Sequence, residues 1–258
     1  MFLEIASSNL CNLAFAKNTF LEYMPERSFD DFDPHAKHYR DIHSENVKIS
    51  GADSFYFAEM KVSILGQYES NIELQVLDVG CGDGVIEFYM NDLFPSWKLN
   101  GIDISAESIA IAKEKNIPNC NFQLYDGKRI PFPDNSFDIV FIAGVLHHVD
   151  FRLHRDLLME VKRVLRDKGR LYLFEHNPLN PFTRQVVKDC VFDTDARLLR
   201  YGYAKKLVRD AGLGSIQGKF ILFFPRKGWL SRLIKIERKL AWLPLGAQYY
   251  LRAEKVRD

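Results

Sequence analysis

The 258-residue sequence has few cysteines, almost no net charge and no long hydrophobic run. Its cysteines lack the spacing of a metal site or disulfide framework, which indicates a reduced, cytoplasmic protein; they are Cys11, Cys81, Cys120 and Cys190. A net charge of +1 argues against a nucleic-acid partner. We expect no transmembrane span and no secretory signal, because the first residues lack a basic flank and a cleavage site.

A strand, a glycine-rich loop and a helix follow one another from Leu74 to Leu93. Apolar residues through Val79 predict a short buried strand, and helical spacing begins at Val85. The sequence G-C-G-D-G at 80–84 allows a sharp turn that brings bare backbone against a ligand. Amide N–H groups and the positive end of a helix dipole meet at such a corner, so we expect a cofactor site there.

The loop departs from the common nucleotide-binding motifs. Val85 stands where the dinucleotide pattern G-x-G-x-x-G needs its third glycine, and no Lys-Ser/Thr pair follows as in a phosphate loop. Asp78, two residues before Gly80, would repel a pyrophosphate but suits an ammonium or sulfonium group. These features predict a cationic cofactor.

Acidic residues end the next two predicted strands. Asp103 can accept two hydrogen bonds from a ribose diol, and Ser105 would cap a helix over about 106–115. Asp126, after a strand over 121–124, could accept from an adenine amino group, although Asp126-Gly127 is also an ordinary turn. A fourth strand over 137–142 leads into residues 143–149, so four strand ends would face one crevice.

Five segments in this part of the chain have the order and spacing of a known family. They are the glycine loop, G-I-D-I-S at 101–105, P-F-P-D-N-S-F-D at 131–138, V-L-H-H-V at 145–149 and V-L-R-D-K-G-R-L at 164–171. Together they resemble the class I S-adenosylmethionine-dependent methyltransferases, most of all the small-molecule branch that includes quinone-biosynthesis methyltransferases. The resemblance implies a Rossmann-like α/β fold, with a seven-stranded, mostly parallel sheet, helices on both faces and an antiparallel last strand.

The resemblance also implies S-adenosylmethionine as the cofactor, with S-adenosylhomocysteine as its product. Asp78, Gly80 and Gly82 would hold the methionyl part of the cofactor, and the Ala143 backbone would approach its amine. Asp103 would hold the ribose diol. Asp126 and Gly127 would border the adenine. The full set is Asp78, Gly80, Gly82, Asp103, Ile104, Asp126, Gly127 and Ala143.

We expect two parts, an N-terminal helical lid segment over 1–70 and an S-adenosylmethionine-binding methyltransferase domain over 71–258 that contains the cofactor motifs. The N-terminal segment has helical patterning, and residues 29–40 look like the helix that covers the cofactor as a lid in related enzymes. Tyr39 would then lie near the substrate entrance, unless it simply packs this helix onto the domain. Farther along, we expect a helix over 153–165 that ends at Lys168-Gly169. A strand over 171–175, two helices within 180–211 and strands over 216–224 and 247–253 follow.

An insertion over 225–244 separates the last two predicted strands. Its apolar residues form one helical stripe surrounded by basic residues, with Glu237 as the only acid. One interpretation is an interfacial helix that makes peripheral membrane contact through 226–242. The other is that the stripe covers the substrate pocket or packs in a dimer interface while the basic side chains stay solvated.

Three histidines follow strand ends and are candidate bases, because histidine titrates near neutral pH: His147, His148 and His176. The acceptor would be a small molecule, lipophilic or carbohydrate, and no metal is predicted. Two alternatives stay open. A nicotinamide-dependent oxidoreductase would share the glycine loop and the ribose acid, and a non-catalytic S-adenosylmethionine-binding partner subunit would share the whole cofactor site. The sequence leaves a monomer and a homodimer equally open.

Overall fold

The computed structural model describes residues 54–190, 193, 196–226 and 228–256. Seven strands lie within this part of the chain: β1 Gln75–Val79, β2 Lys98–Asp103, β3 Cys120–Leu124, β4 Phe137–Ala143, β5 Leu165–His176, β6 Leu213–Ile221 and β7 Gln248–Lys255. The α-helices are α1 Ser54–Leu65, α2 Val85–Leu93, α3 Ala106–Glu114, α4 His154–Val164, α5 Pro181–Asp189, α6 Tyr201–Asp210 and α7 Glu237–Leu240. The lid helix expected over 29–40 lies outside the described residues.

All seven strands form one sheet in the order β3-β2-β1-β4-β5-β7-β6. The first five are parallel to one another, and β7 runs antiparallel to both β5 and β6. The predicted seven-stranded sheet with an antiparallel last strand is therefore confirmed. Strand order reverses between β1 and β4, and ligands bind beyond the carboxyl ends of strands at such a switch point.

Helices cover both faces of the sheet because the central strands are apolar on both sides. Leu77 and Val140 point into one core cluster, which α4 and α6 complete. Val76 and Phe141, each one residue away, point into a second cluster with α1 and α2. This alternation fixes the register of the sheet, since a slip of one residue would exchange the two faces.

Residue spacing and capping residues correctly predicted the ends of several helices. Helix α2 spans the predicted residues, and the Ser105 hydroxyl accepts a hydrogen bond from Ser108 N, as expected of the α3 N-cap. The predicted helix over 153–165 agrees with α4 within one residue at each end, but the Lys168-Gly169 pair does not end it. Helix α4 ends at Val164, because Leu165 is extended, fully buried and paired with Phe137, and β5 begins there.

Strand β6 also differs from its prediction over 216–224. It begins at Leu213 and ends at Ile221, because Leu222 has a positive φ of 62° that breaks the extended backbone. The insertion expected as one helix is a 3-10 helix, Trp229–Ile236, followed by the single α-helical turn of α7. Within the ranges given above, no helix is both long and apolar enough to cross a membrane.

Candidate active site

The glycine loop is held against the end of β2. Gly80 N and Cys81 N both donate to Ile102 O, at 2.8 and 3.1 Å. Gly80 has a φ of 81°, and a β-carbon there would lie 2.4 Å from a methyl of Val145, so no larger residue fits. A β-carbon on Gly82 would meet nothing within 4 Å. The loop backbone at Gly82 therefore faces open space that a ligand can occupy.

Asp103 ties the loop to the start of α3. Its Oδ2 accepts from Gly82 N at 2.8 Å and its Oδ1 accepts from Ser105 N at 2.9 Å. Both carboxylate oxygens are thus fixed by backbone N–H groups at the end of β2. The side chain shapes the glycine loop and lies at the strand end where the ribose diol was expected.

Asp78 lies buried at the end of β1, and its Oδ1 has no hydrogen-bond partner among the described residues. Burial and the nearby charge of Asp103 raise the pKa of Asp78 to about 8. A buried carboxyl without a donor is unfavourable unless a ligand supplies one. The position therefore suits a cationic group, as the sequence argument predicted.

Glu87, in the first turn of α2, was missed by the sequence analysis. Its side chain is fully buried close to Asp78, so one of the two carboxyl groups can donate to the other only when it is protonated. Burial and the charge of Asp78 raise its pKa well above the ordinary value. An acid in a first turn usually only stabilises the helix dipole from the surface, so nothing in the local sequence signals this burial.

The remaining expected cofactor residues lie along the same edge of the sheet. Ala143 ends β4 and is half-buried, and Ile104 is half-buried just after β2. Asp126 is exposed beyond the end of β3, and its Oδ1 accepts from Lys128 N and Arg129 N at 2.9 and 3.1 Å. This is the geometry of a turn-forming aspartate, with Gly127 next to it at a φ of 71°.

His147 is fixed by two carboxylates. Its Nδ1 lies 2.6 Å from Glu175 Oε2 and its Nε2 lies 3.6 Å from Asp193 Oδ1. Burial alone would lower the pKa of His147, but the two carboxylates outweigh burial and raise it to about 9. Glu175 Oε1 also accepts from Leu146 N at 2.8 Å, so one buried carboxylate holds the segment after β4 at two points.

His148 and His176 differ from His147 in their surroundings. His148 Nε2 lies 3.3 Å from Asp193 Oδ1, and its side chain is 17% exposed, against 2% for His147. His176 ends β5 with its ring centroid 5.2 Å from that of His147. Burial and the positive charge of His147 lower the pKa of His176 to about 4. Burial alone would raise the pKa of Asp193, but its interactions with the three histidines outweigh burial and lower it to about 2.

The three predicted histidines lie close together in the structure, and Asp193 lies beside His147 and His148. The spacing of these residues in the sequence did not predict that Asp193 joins them. His147, His148 and Asp193 each offer one ligand atom, and these atoms lie within 4.8 Å of one another. Two histidines and a carboxylate have the composition of a metal site, which the sequence did not predict. The distances above also fit a cluster of ion pairs. Tyr39 lies outside the described residues.

Comparisons with known proteins agree with this geometry. A family model described as a methyltransferase domain matches residues 76–169, the stretch from β1 into β5. The resemblance to the S-adenosylmethionine-dependent methyltransferases is therefore confirmed for this segment. S-adenosylmethionine is thus the cofactor of the family, and the quinone-biosynthesis resemblance is confirmed by curated relatives that bear such names.

The similarity to individual relatives is partial. An uncharacterized methyltransferase of Schizosaccharomyces pombe is 29% identical over 159 residues, 57% of this chain and 56% of that protein. The demethylmenaquinone methyltransferase of Thermotoga maritima is 34% identical over 106 residues, 41% of this chain and 45% of that protein. The chain thus spans about half the length of the curated relatives it matches.

Solved structures share the methyltransferase fold across a larger part of the chain. A SAM-dependent methyltransferase of Thermotoga maritima superposes with a TM-score of 0.64 at 18% identity. The match covers 88% of this chain and 100% of that one. Another neighbour, the phosphoethanolamine N-methyltransferase 2 of Haemonchus contortus in complex with S-adenosyl-L-methionine, gives a TM-score of 0.63 at 16% identity. At these identities the likeness establishes the fold.

A further buried histidine beside the site was missed by the sequence analysis. His154, at the start of α4, is fully buried, and its Nε2 lies 2.8 Å from Leu146 O and 3.0 Å from Val149 O. Its other ring nitrogen faces the Tyr203 hydroxyl at 3.3 Å. The imidazole therefore holds the 146–149 turn through its carbonyl groups, whereas Glu175 holds it through the Leu146 N–H group. A lone histidine at a helix start carries no sequence signal for this role.

Proposed function

We propose that the chain is an S-adenosylmethionine-dependent methyltransferase that acts on a small-molecule, lipophilic or carbohydrate-like acceptor. The observation that carries the proposal is the corner of β1 and β2. There Asp78 offers a buried carboxyl oxygen that lacks a donor, and the open loop backbone at Gly82 is bonded to Asp103. The proposal includes a lid over 1–70 and a methyltransferase domain over 71–258 that carries the insertion 225–244.

In this proposal each strand end binds one part of the cofactor. Asp78 and the loop at Gly80 and Gly82 bind the methionyl part, with Ala143 near its amino group. The carboxylate of Asp103 accepts from the ribose diol, with Ile104 beside it, and Asp126 and Gly127 border the adenine. The support is the position of these residues on one sheet edge and the electrostatic fit of a buried acid to a cation.

The cofactor supplies a methyl group already activated by a positively charged sulfur, so little covalent chemistry is left to the protein. The chain's own residues have to align the acceptor, exclude water and remove a proton if the acceptor carries one. His148 is the favoured base of the three histidines, since it is the more exposed of the adjacent pair and Asp193 orients its Nε2. His147 is held by carboxylates on both nitrogens and serves to position the turn, and His176 lines the same crevice.

The relatives support a small-molecule acceptor without choosing one. Their printed names include methyltransferases that act on demethylmenaquinone and on 27-O-demethylrifamycin SV. Both are small organic molecules. A nicotinamide-dependent oxidoreductase is disfavoured, because the matched domain is that of methyltransferases and Val85 replaces the third glycine of the dinucleotide motif. An activity assay distinguishes the enzyme from the remaining alternative, a non-catalytic S-adenosylmethionine-binding partner subunit.

The test combines cofactor binding with transfer of a labelled methyl group. Titration calorimetry should show binding of S-adenosylmethionine and no binding of NADH. Asp103→Ala should weaken that binding by about 1 to 3 kcal/mol, because charge-assisted hydrogen bonds to the diol and the loop are lost. An affinity unchanged by this substitution would remove Asp103 from the cofactor site.

Incubation with methyl-labelled S-adenosylmethionine and a cell extract then tests catalysis. Label in an organic or aqueous small-molecule fraction supports the enzyme. If the protein binds the cofactor but no fraction becomes labelled, in extracts of cells grown under several conditions, the result favours the non-catalytic subunit. Label in the macromolecular fraction would overturn the small-molecule acceptor.

A further inference from the structure

Six large apolar side chains are exposed near one end of the sheet. Five of them leave more than half of their surface in solvent: Trp242 at 74%, Trp229 at 73%, Phe182 at 69%, Leu245 at 59% and Leu179 at 53%. Ile236 adds a sixth at 41%. Single exposed apolar residues are common, but six within three short segments indicate an interaction surface.

Hydrogen bonds bring these segments together. Asn177 Nδ2 donates to Pro244 O and Gly246 O, at 3.1 and 2.8 Å, and Asn180 Nδ2 donates to Leu245 O at 2.7 Å. The first turn of α5, which carries Phe182, is therefore bonded to the end of the insertion. The six apolar residues thus lie around the start of α5 and on or next to the insertion that is bonded to it, and we call them the aromatic patch.

The charges around the aromatic patch have one sign. Arg232, Lys235, Arg238 and Lys239 are exposed on the insertion, and the guanidinium of Arg226 stacks on the Tyr56 ring, with its carbon 4.0 Å from the ring centroid. The only acid of the insertion, Glu237, is turned inward and its Oε1 accepts from Phe223 N and Phe224 N, at 3.0 and 2.9 Å. The one negative charge is thus used to hold the insertion on the end of β6, and the outward side chains are basic.

The insertion folds as a short amphipathic helix that lies outside the hydrophobic core. The 3-10 helix Trp229–Ile236 and the following turn contain no fully buried residue. A segment with two exposed tryptophans, isoleucine and leucine on it, surrounded by lysine and arginine, has the composition of a helix that lies in a membrane interface. Tryptophan is favoured at the headgroup level, and basic residues attract anionic lipids.

The aromatic patch lies at the end of the sheet where the candidate active site is. Residues 177–182 follow the carboxyl end of β5, next to His176, and the insertion joins the end of β6 to the start of β7. Both segments therefore emerge from the edge of the sheet that carries the cofactor residues. A surface bound there would lie beside the crevice.

We propose that the aromatic patch and its basic border dock the protein on an anionic lipid bilayer. The charge complementarity of four outward basic residues, Arg232, Lys235, Arg238 and Lys239, and the exposed aromatic side chains favour a lipid surface over a second copy of this chain, which would place like charges together. The docking does not depend on methyl transfer, and it adds to the proposed function a bilayer as the source of a lipophilic acceptor.

Vesicle binding tests the proposal without any methyl acceptor. The full chain is incubated with vesicles of neutral phosphatidylcholine alone or mixed with anionic phosphatidylglycerol, and the bound fraction is measured by co-sedimentation. We expect binding to the anionic vesicles that falls as salt rises. Binding to neither vesicle, or equal binding to both with no salt dependence, would overturn the proposal.

Two variants and matched controls locate the surface. Trp229→Ala with Trp242→Ala, and separately Lys235→Glu with Arg238→Glu, should each weaken vesicle binding at least about tenfold. The controls are Phe88→Ala and Arg155→Glu, which change an exposed aromatic and an exposed basic residue on other helices. Controls that lose binding equally would contradict the assigned surface.

Two further measurements distinguish lipid docking from a damaged fold and from dimerisation. The binding constant for S-adenosylmethionine should stay within about twofold of the parent in both variants, which shows that the cofactor site is intact. A concentration-dependent dimer in sedimentation that the tryptophan substitutions abolish would assign the patch to a second copy and overturn lipid docking. Failure of vesicle binding with intact methyl transfer would leave the proposed function standing.

Discussion

Asp78 and Asp103 end neighbouring strands, and burial affects them differently. Asp103 is half-buried and accepts two backbone hydrogen bonds, whereas Asp78 is buried with one oxygen that lacks a donor in the described structure. The charge of Asp103 adds to burial in raising the pKa of Asp78 to about 8. The cofactor-free protein therefore holds a proton on the pair of Asp78 and Glu87 at neutral pH.

This proton predicts a pH-dependent affinity for S-adenosylmethionine. Binding of the cationic cofactor favours the carboxylate, so complex formation below about pH 8 releases a proton, and affinity rises with pH up to that value. Above it the amino group of the ligand loses its charge, since α-amino groups titrate near 8, and affinity should level or fall. Calorimetry in buffers of different ionisation enthalpy counts the released proton.

Asp78→Asn provides the comparison for that measurement. The amide cannot ionise, so the variant should bind more weakly and should release less proton between pH 6 and pH 8, as set by the pKa of about 8. Parent and variant with the same pH profile would show that another group, such as Glu87, controls the linkage.

His148 gives a second prediction at the scale of single residues. His148→Asn should reduce kcat by about 100- to 10,000-fold if the acceptor must lose a proton, with cofactor affinity unchanged. Steady-state kinetics with the acceptor identified by label transfer measure this. Arg155→Gln is the control, because Arg155 is exposed on α4 and lies outside the histidine cluster. A fall in kcat that is no larger for His148→Asn than for the control would indicate that alignment of the acceptor supplies the rate.

Asn177 connects two elements, the end of β5 and the insertion. It is buried, its amide donates to two carbonyls and its Oδ1 accepts from Leu179 N at 3.1 Å. Asn177→Ala leaves two carbonyls without their donor, so we expect a loss of about 2 to 4 kcal/mol in unfolding free energy. Urea unfolding measures it, with the exposed Asn121→Ala as control. A loss below about 0.5 kcal/mol would mean that the insertion holds without this residue.

Elements with strong local signals could be predicted from the sequence, and those set by packing could not. Helix α2 has clear helical spacing after a glycine, and its bounds agree with the prediction. The end of α4 depends on Leu165 joining the sheet beside Phe137, a contact between residues 28 apart that no local pattern shows. The pairing of Leu165 with Phe137 ends the helix before Gly169, the residue expected to mark its end.

The same division holds within the site. The acids Asp78 and Asp103 were found because strand ends converge in a parallel sheet. Glu87 and His154 were missed, because their roles come from burial beneath other elements. The pairing of His147 with Glu175 spans 28 residues, so spacing alone could not suggest it.

At the scale of the whole molecule, buried acids make the stability of the cofactor-free protein depend on pH. The folded pKa of Glu87 lies well above its ordinary value of 4.5, so as pH rises the unfolded chain ionises first. The folded state then binds more protons than the unfolded state, and stability falls from about pH 4.5 upward until the folded pKa is passed. Asp78 adds to this trend up to its folded pKa of about 8.

Glu87→Gln removes the contribution of this residue. The variant should lose less stability than the parent between pH 5 and pH 8, by about 1.4 kcal/mol for each pH unit over which Glu87 is protonated only in the folded state. Urea unfolding at several pH values gives the two slopes. Equal slopes would show that Glu87 is ionised in the folded protein.

The turn over 146–149 is held by Glu175 through Leu146 N, by His154 through two carbonyls and by Arg197 N, which donates to His147 O at 2.9 Å. Its backbone therefore loses its conformational entropy when the chain folds, and an acceptor that arrives later orders no backbone there. The Leu146 amide, buried against a carboxylate, should accordingly exchange its hydrogen only when the surrounding sheet opens.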